Sequence, residues 1–151
     1  MAIKEQIMGE IKIAMKAGDT FKLTLLRSLS SVINNKALDK RGKTNDPAAV
    51  LTDEEILSAF ATEAKRRKES ATAFIAGGRQ DLADNELAEL AVIVTYLPKQ
   101  MSQAETETAV NDIMAKNGLK EFGPAMKAVM AELRGKADAG VITELIKKKL
   151  G

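Results

Sequence analysis

Ile3, Ile7, Ile11, Ala14 and Met15 recur at three- and four-residue spacing, which makes one side of a helix apolar and predicts an amphipathic first helix ending near Gly18. Asp19 and Thr20 offer cap chemistry for a second helix, whose Phe21, Leu25, Leu26, Leu29, Val32 and Ile33 form one broad apolar face. The two-residue join makes the pair an antiparallel hairpin. Leu38 to Val50 then carries Asp39, Lys40, Arg41, Gly42, Lys43, Thr44, Asn45, Asp46 and Pro47, residues that favour turns and bury nothing, and predicts a mobile loop. Thr52 followed by Glu55 is a capping box. From there Ile56, Leu57, Phe60, Ala61, Ala64, Ala71, Phe74 and Ile75 carry a third helix to Gly77-Gly78. A fourth helix starts near Arg79, with Ala83, Leu87, Leu90, Val94 and Leu97 as its inner stripe, and stops at Pro98, whose ring disfavours helical geometry at the residue before it.

Beyond Pro98 the same signals repeat on a smaller scale. Ser102 with Glu105 is a second capping box, opening a helix through Ala109, Val110, Ile113 and Met114 to Asn117-Gly118. Pro124 suits a first helical turn, followed by Met126, Val129, Met130 and Leu133; Gly135 to Gly140 is a break, and Val141 to Leu150 a last helix. The expected architecture is all-α: an N-terminal bundle of about four helices over residues 1–97 and a small three-helix domain over residues 98–151.

Composition narrows the chemistry more than the fold. The 151 residues include no cysteine, histidine or tryptophan and only one tyrosine. Disulfides, thiolate metal sites, cysteine nucleophiles and the commonest general base are therefore excluded, and no metal or cofactor is expected. The net charge of +2 hides an uneven distribution: nine basic against four acidic residues over 1–45, five against ten over 46–96, and nine against seven over 97–151. Both ends are basic and the middle is acidic. No apolar run reaches the length of a membrane span and no signal-peptide core opens the chain, so the expected location is cytoplasmic, with no membrane partner.

Several local constellations have plain structural readings. Arg41-Gly42-Lys43-Thr44 imitates the end of a phosphate-binding loop, but Ala37 stands where the first glycine belongs and a helix precedes it in place of a strand. Lys65-Arg66-Arg67-Lys68 covers all sides of a helix and cannot face one ligand, and Glu63 is placed to pair with Arg66 and Arg67. Arg67 lies in the apolar line of Phe60, Ala64, Ala71 and Phe74, where its charge needs a carboxylate, and Glu86 or Glu89 on the antiparallel helix is the expected partner. Asp81 and Asp84 suit the start of a helix. Ser28, Ser30 and Ser31 near Lys36 lack the Gly/Ser-rich surroundings of a serine/lysine amidase and read as helix-surface residues.

The C-terminal segment has the more coherent basic geometry. Lys127 and Arg134 are seven apart and share a helix edge, Lys136 follows in the break, and Lys147-Lys148-Lys149 closes the chain. Lys147 points away from the Val141, Ile142, Leu145 and Ile146 face, Lys148 sits at its border, and Lys149 falls inside it and must snorkel. Lys127, Arg134, Lys136, Lys147 and Lys148 are thus the candidate RNA-binding residues, through phosphates. The competing reading is a protein–protein adaptor, docking through the basic N-terminal hairpin or the loop after it, with no nucleic-acid contact.

Four strings in order resemble the GatB/YqeY family: Lys65-Arg66-Arg67-Lys68-Glu69-Ser70 with Phe74; Gly78-Arg79-Gln80-Asp81-Leu82 with Glu86; Tyr96-Leu97-Pro98-Lys99-Gln100; and Gly135-Lys136-Ala137-Asp138 leading into Val141-Ile142. The similarity runs over essentially the whole chain. It implies a helical bundle followed by a small helical domain like the tail of GatB, a subunit of the glutamine-dependent amidotransferase acting on misacylated tRNA. It also implies tRNA contact and an amidotransferase or other protein partner. The family label of carbon–nitrogen ligase with glutamine as amido donor comes by association. The catalytic body that carries that chemistry in GatB is not among these strings, and no catalytic residue is expected here.

Overall fold

A computed structural model describes residues 2–151. All regular structure among them is helical, in seven helices: α1 (Ala2–Ala17), α2 (Thr20–Thr44), α3 (Asp53–Ala76), α4 (Gln80–Ile93), α5 (Gln103–Asn117), α6 (Phe122–Leu133) and α7 (Ala139–Leu150). They form two compact units, Met1–Tyr96 and Leu97–Gly151. Among the described residues no helix is long and apolar enough to cross a membrane.

In the first unit α1 turns into α2 through Gly18, at φ +68°, and Asp19, whose carboxylate accepts from Lys22 N at 3.0 Å. Ile7 and Ala14 from α1, Leu25, Leu26, Leu29, Ile33 and Ala37 from α2, and Ile56, Ala59, Phe60, Ala64 and Ala71 from α3 are buried. Phe60 has no exposed surface, so truncating it to alanine would cost about 3–5 kcal/mol. The Thr52 capping box is complete, Thr52 Oγ1 accepting from Glu55 N and Glu55 Oε2 accepting from Thr52 N.

Three sequence expectations are corrected in this unit. The loop expected over Leu38 to Val50 begins later: α2 runs on to Thr44 and ends on Asn45 in the left-handed region, whose N–H donates to Arg41 O, and only the chain from there to Thr52 is non-helical. The turn-rich composition is outweighed because Lys40 Nζ donates to Val50 O at 2.9 Å and to Glu55 Oε2 at 2.8 Å, and Arg41 Nε donates to Ala49 O at 2.9 Å. Both cations are placed only if the helix continues, and their bonds offset the roughly 1 kcal/mol that Gly42 costs inside it. Arg41-Gly42-Lys43-Thr44 therefore lies in a helical turn, its geometry unlike a phosphate cradle.

The second correction concerns helix ends. Met15, Phe21 and Ile75, assigned to apolar faces, are exposed, since each sits in a terminal turn that the neighbouring helices do not cover. The third concerns the phase of α4. Leu87 and Val94 are exposed, while Ala83 and Ile93 are buried and Glu86, Glu89 and Leu90 are half-buried. The inner face is rotated so that carboxylates share it, and the helix stops at Ile93, short of Pro98.

The second unit has one core. Val110, Ile113 and Met114 of α5, Ala125, Val129 and Leu133 of α6, and Ile142 and Ile146 of α7 are buried together, with Met101, Leu119, Met126, Met130 and Leu145 packed around them. Ser102 and Glu105 complete the capping box that starts α5, and Gly118 at φ +59° ends it. Pro124 lies in the first turn of α6. The break before the last helix is shorter than predicted: Asp138 accepts from Gly140 N at 2.7 Å, and α7 begins at Ala139.

Candidate nucleic-acid interface

Lys127, Arg134, Lys136, Lys147 and Lys148 are all exposed. On α6 the buried line is Ala125, Val129 and Leu133; at about 100° per residue Lys127 and Arg134, the residue that caps the end of the helix, fall within roughly 20° of each other, on the side away from it. Their seven-residue separation spreads the two charges about 10 Å along the helix.

On α7, contacts to both neighbouring helices fix the orientation. The Thr143 hydroxyl meets Met126 Sδ of α6 at 3.9 Å, marking the edge toward α6, and Lys147 lies one turn further along that edge. Lys149 Nζ donates to Asn111 Oδ1 of α5 at 3.2 Å, which marks the opposite edge and is the snorkelling expected of it. Lys148 falls about 100° from each, on the outward side. Glu144, one turn before Lys147 and Lys148, stands between them on that side, an acid among the candidate cations.

Lys136 occupies the connection between α6 and α7. Its N–H donates to Leu133 O at 2.9 Å and its carbonyl accepts from Met101 N at 2.8 Å, so its backbone is held while its side chain is exposed. The geometry thus brings Lys127 with Arg134 onto one outward row and places Lys147 on the α7 edge facing that helix. Lys136 stands at the connection, at the end of α6 that carries Arg134. Lys148 is set apart from Lys147 by the turn of the helix.

The other charged constellation is structural. Arg67 is 8% exposed and Glu63 7%. Arg67 Nη1 donates to a Glu63 carboxylate oxygen, and Arg67 Nε to Glu89 Oε2 at 3.0 Å, while Arg66 Nη2 reaches both Glu63 oxygens at 3.0 and 3.1 Å. Of the two partners expected across the helices, Glu89 is the one bonded. Burial disfavours the guanidinium charge, but the two carboxylates outweigh it and hold the Arg67 pKa above its ordinary value. No polar side-chain atom that is buried in the described residues lacks a partner. Among those residues no three His, Cys, Asp or Glu side chains converge as a metal site.

Tyr96, at the end of the first unit, has partners that no local pattern announces. Its hydroxyl donates to Glu10 Oε2 of α1, 86 residues away, and its ring meets Phe60 edge-on, 5.9 Å between centroids. Burial, then the Glu10 carboxylate, push its pKa well above that of a free phenol.

A family profile described as Yqey-like protein matches residues 4–150. The chain belongs to the YqeY-like family. Similar curated relatives of this YqeY-like chain are fungal proteins named altered inheritance of mitochondria protein 41, mitochondrial. The one from Saccharomyces cerevisiae is 28% identical over 132 residues, 87% of this chain and 68% of the relative. That from Lachancea thermotolerans is 32% identical over 120 residues, 78% and 60% respectively, and that from Candida glabrata 30% over 137 residues, 89% and 70%.

Proposed function

We propose that this YqeY-like protein is a helical accessory module that contacts tRNA or another RNA through its phosphates, in the setting of glutamine-dependent tRNA amidation. The observation that supports this most is the outward row of Lys127 on α6 and Arg134 at its C-terminal cap, with Lys147 on the facing edge of α7 and Lys136 at their connection. The apolar faces of both helices are committed to the core of the unit, so these cations face solvent and are accessible to a polyanion. On this reading amide transfer belongs to a catalytic partner and this chain supplies RNA contact only. The location proposed for it is cytoplasmic, whereas the fungal relatives carry mitochondrial names.

Few groups are available to read bases. The protein has no tryptophan, Tyr96 is bonded to Glu10 in the other unit, and Phe122 is the one aromatic after Tyr96. Recognition is therefore of backbone shape and not of sequence. Three or four phosphate contacts give a salt slope of about −2 to −4 in log affinity against log salt, with affinity no better than micromolar.

The test is tRNA binding by the full chain and by Lys127→Glu/Arg134→Glu/Lys147→Glu over a range of salt. Loss of most binding by the variant, with far-ultraviolet helicity unchanged, is the expected result. Equal binding by both proteins, or a flat salt dependence, would replace this reading with the protein–protein adaptor.

A further inference from the structure

The connection between the two units is held at each end by bonds internal to one unit. At the near end Tyr96 donates to Glu10 of α1 and packs on Phe60 of α3. The turn that presents it is tied as well, Tyr96 N donating to Ile93 O at 3.1 Å and Thr95 Oγ1 to Val92 O at 2.6 Å. At the far end Gln100 Nε2 donates to Pro98 O at 2.9 Å and to Gly135 O at 2.7 Å, and Met101 N donates to Lys136 O at 2.8 Å. Only Leu97-Pro98-Lys99 lies between these anchors, and the ring of Pro98 fixes one of its backbone angles.

The near anchor is built to open without stranding a charge. Glu10 accepts from Gln6 Nε2 at 3.1 Å and has Lys22 Nζ 3.7 Å from its other oxygen, so the carboxylate keeps partners when the phenol departs. Tyr96 itself is half-buried, and its hydroxyl finds water on leaving. An aromatic locked in a dry core with a single partner would have no such route.

We propose that Tyr96 and Gln100 are latches that hold the connection to three residues, and that release of Tyr96 from Glu10 and Phe60 lengthens it by leaving the Val94–Tyr96 turn held only by its own local bonds, which then open to solvent. Three extended residues span roughly 10 Å, and six roughly 20 Å, so opening the near anchor about doubles the reach. The device does not depend on what the C-terminal unit binds.

Trypsin reads it directly, because Lys99 is the only lysine or arginine between Arg79 and Lys116. A protease needs a freely extended segment, so cleavage rate follows opening of the latches. In the full chain, Tyr96→Phe and Gln100→Ala should each raise the rate of cleavage after Lys99 about tenfold, measured by mass spectrometry of the fragments 1–99 and 100–151. Lys40→Gln, which removes bonds at the other end of α2, should leave that rate unchanged. Cleavage within Lys65–Lys68, inside α3, reports opening of the whole first unit and should rise far less than cleavage after Lys99 in Tyr96→Phe. An unaltered Lys99 rate in Tyr96→Phe, or a parallel rise at Lys65–Lys68, would overturn the proposal.

Discussion

Arg67 of α3 and Glu89 of α4 meet across the helix pair with Nε to Oε2 at 3.0 Å, joining residues 22 apart in sequence. The same guanidinium holds Glu63 one turn earlier on its own helix, so an ionised group sits in a line otherwise made by Phe60, Ala64 and Ala71. Such a network contributes little net stability when intact, because desolvation offsets the attraction, but is costly to break on one side.

Removing one partner is therefore the sensitive measurement. Arg67→Met leaves Glu63 buried beside Arg66 alone and should destabilise the first unit by about 3–5 kcal/mol. The double variant Arg67→Met/Glu63→Met removes the stranded carboxylate and should recover most of that loss. Urea unfolding followed by tyrosine fluorescence checks both, since Tyr96 is the only fluorophore of its class and lies in that unit. A double variant no more stable than Arg67→Met would show that the ionic network has a net stabilising role.

Tyr96 also sets an alkaline limit. Its pKa in the folded protein is raised by burial and by the Glu10 carboxylate. Its contribution is fully present below the unfolded phenol pKa of about 10 and is lost as pH rises from there through the folded value. Absorbance at 295 nm should show no ionisation near pH 10 in the native protein, and the phenol should ionise only at higher pH. In Tyr96→Phe the unfolding curve of the first unit should lose this part of its pH dependence. Ionisation of native Tyr96 at the pH of a free phenol would contradict the placement.

The helix starts, by contrast, were legible without any tertiary information. Thr52 with Glu55 and Ser102 with Glu105 satisfy one another within four residues, so the sequence contains both halves of each box. The continuation of α2 was not legible, because what rescues Lys40 and Arg41 from a loop is a pair of carbonyls, at Val50 and Ala49, presented by chain that has yet to turn back. The phase of α4 is only half legible. Leu87 and Val94 outrank Glu86 and Glu89 by hydropathy, and the pairing expected of Arg67 with Glu86 or Glu89 points the other way; the packed helices follow the ion pair. On the candidate interface, helical spacing alone placed Lys127 with Arg134 and removed Lys149, whereas the Asn111 partner of Lys149 and the position of Thr143 against Met126 required the packed unit.

The two capping boxes allow the units to be weighed separately. Thr52→Ala should cost the first unit about 1 kcal/mol and Ser102→Ala the second about the same, each removing one acceptor from the first turn of a helix. Amide hydrogen exchange resolves the two: faster exchange of the α3 amides in the first variant, and of α5 in the second. A variant that speeds exchange equally in both units would show that they unfold as one.

Glu144 offers the sharpest discrimination on the RNA reading, because it changes the interface by addition and not by damage. It lies three and four residues before Lys147 and Lys148 on the outward side of α7, where its charge opposes any phosphate those lysines would hold. Glu144→Gln removes that opposition and should tighten tRNA binding a few-fold at low salt. Glu144→Lys supplies a further contact and should steepen the salt slope by about 0.7–0.9. Glu132 on α6 is the control, since it lies about 140° round the helix from Lys127 and its conversion to lysine adds the same charge elsewhere. If Glu132→Lys steepens the slope as much as Glu144→Lys, binding follows net charge and no defined row on α6 and α7 exists. If only Glu144→Lys does so, the phosphates lie along the outward side of α7, between Lys147 and Lys148.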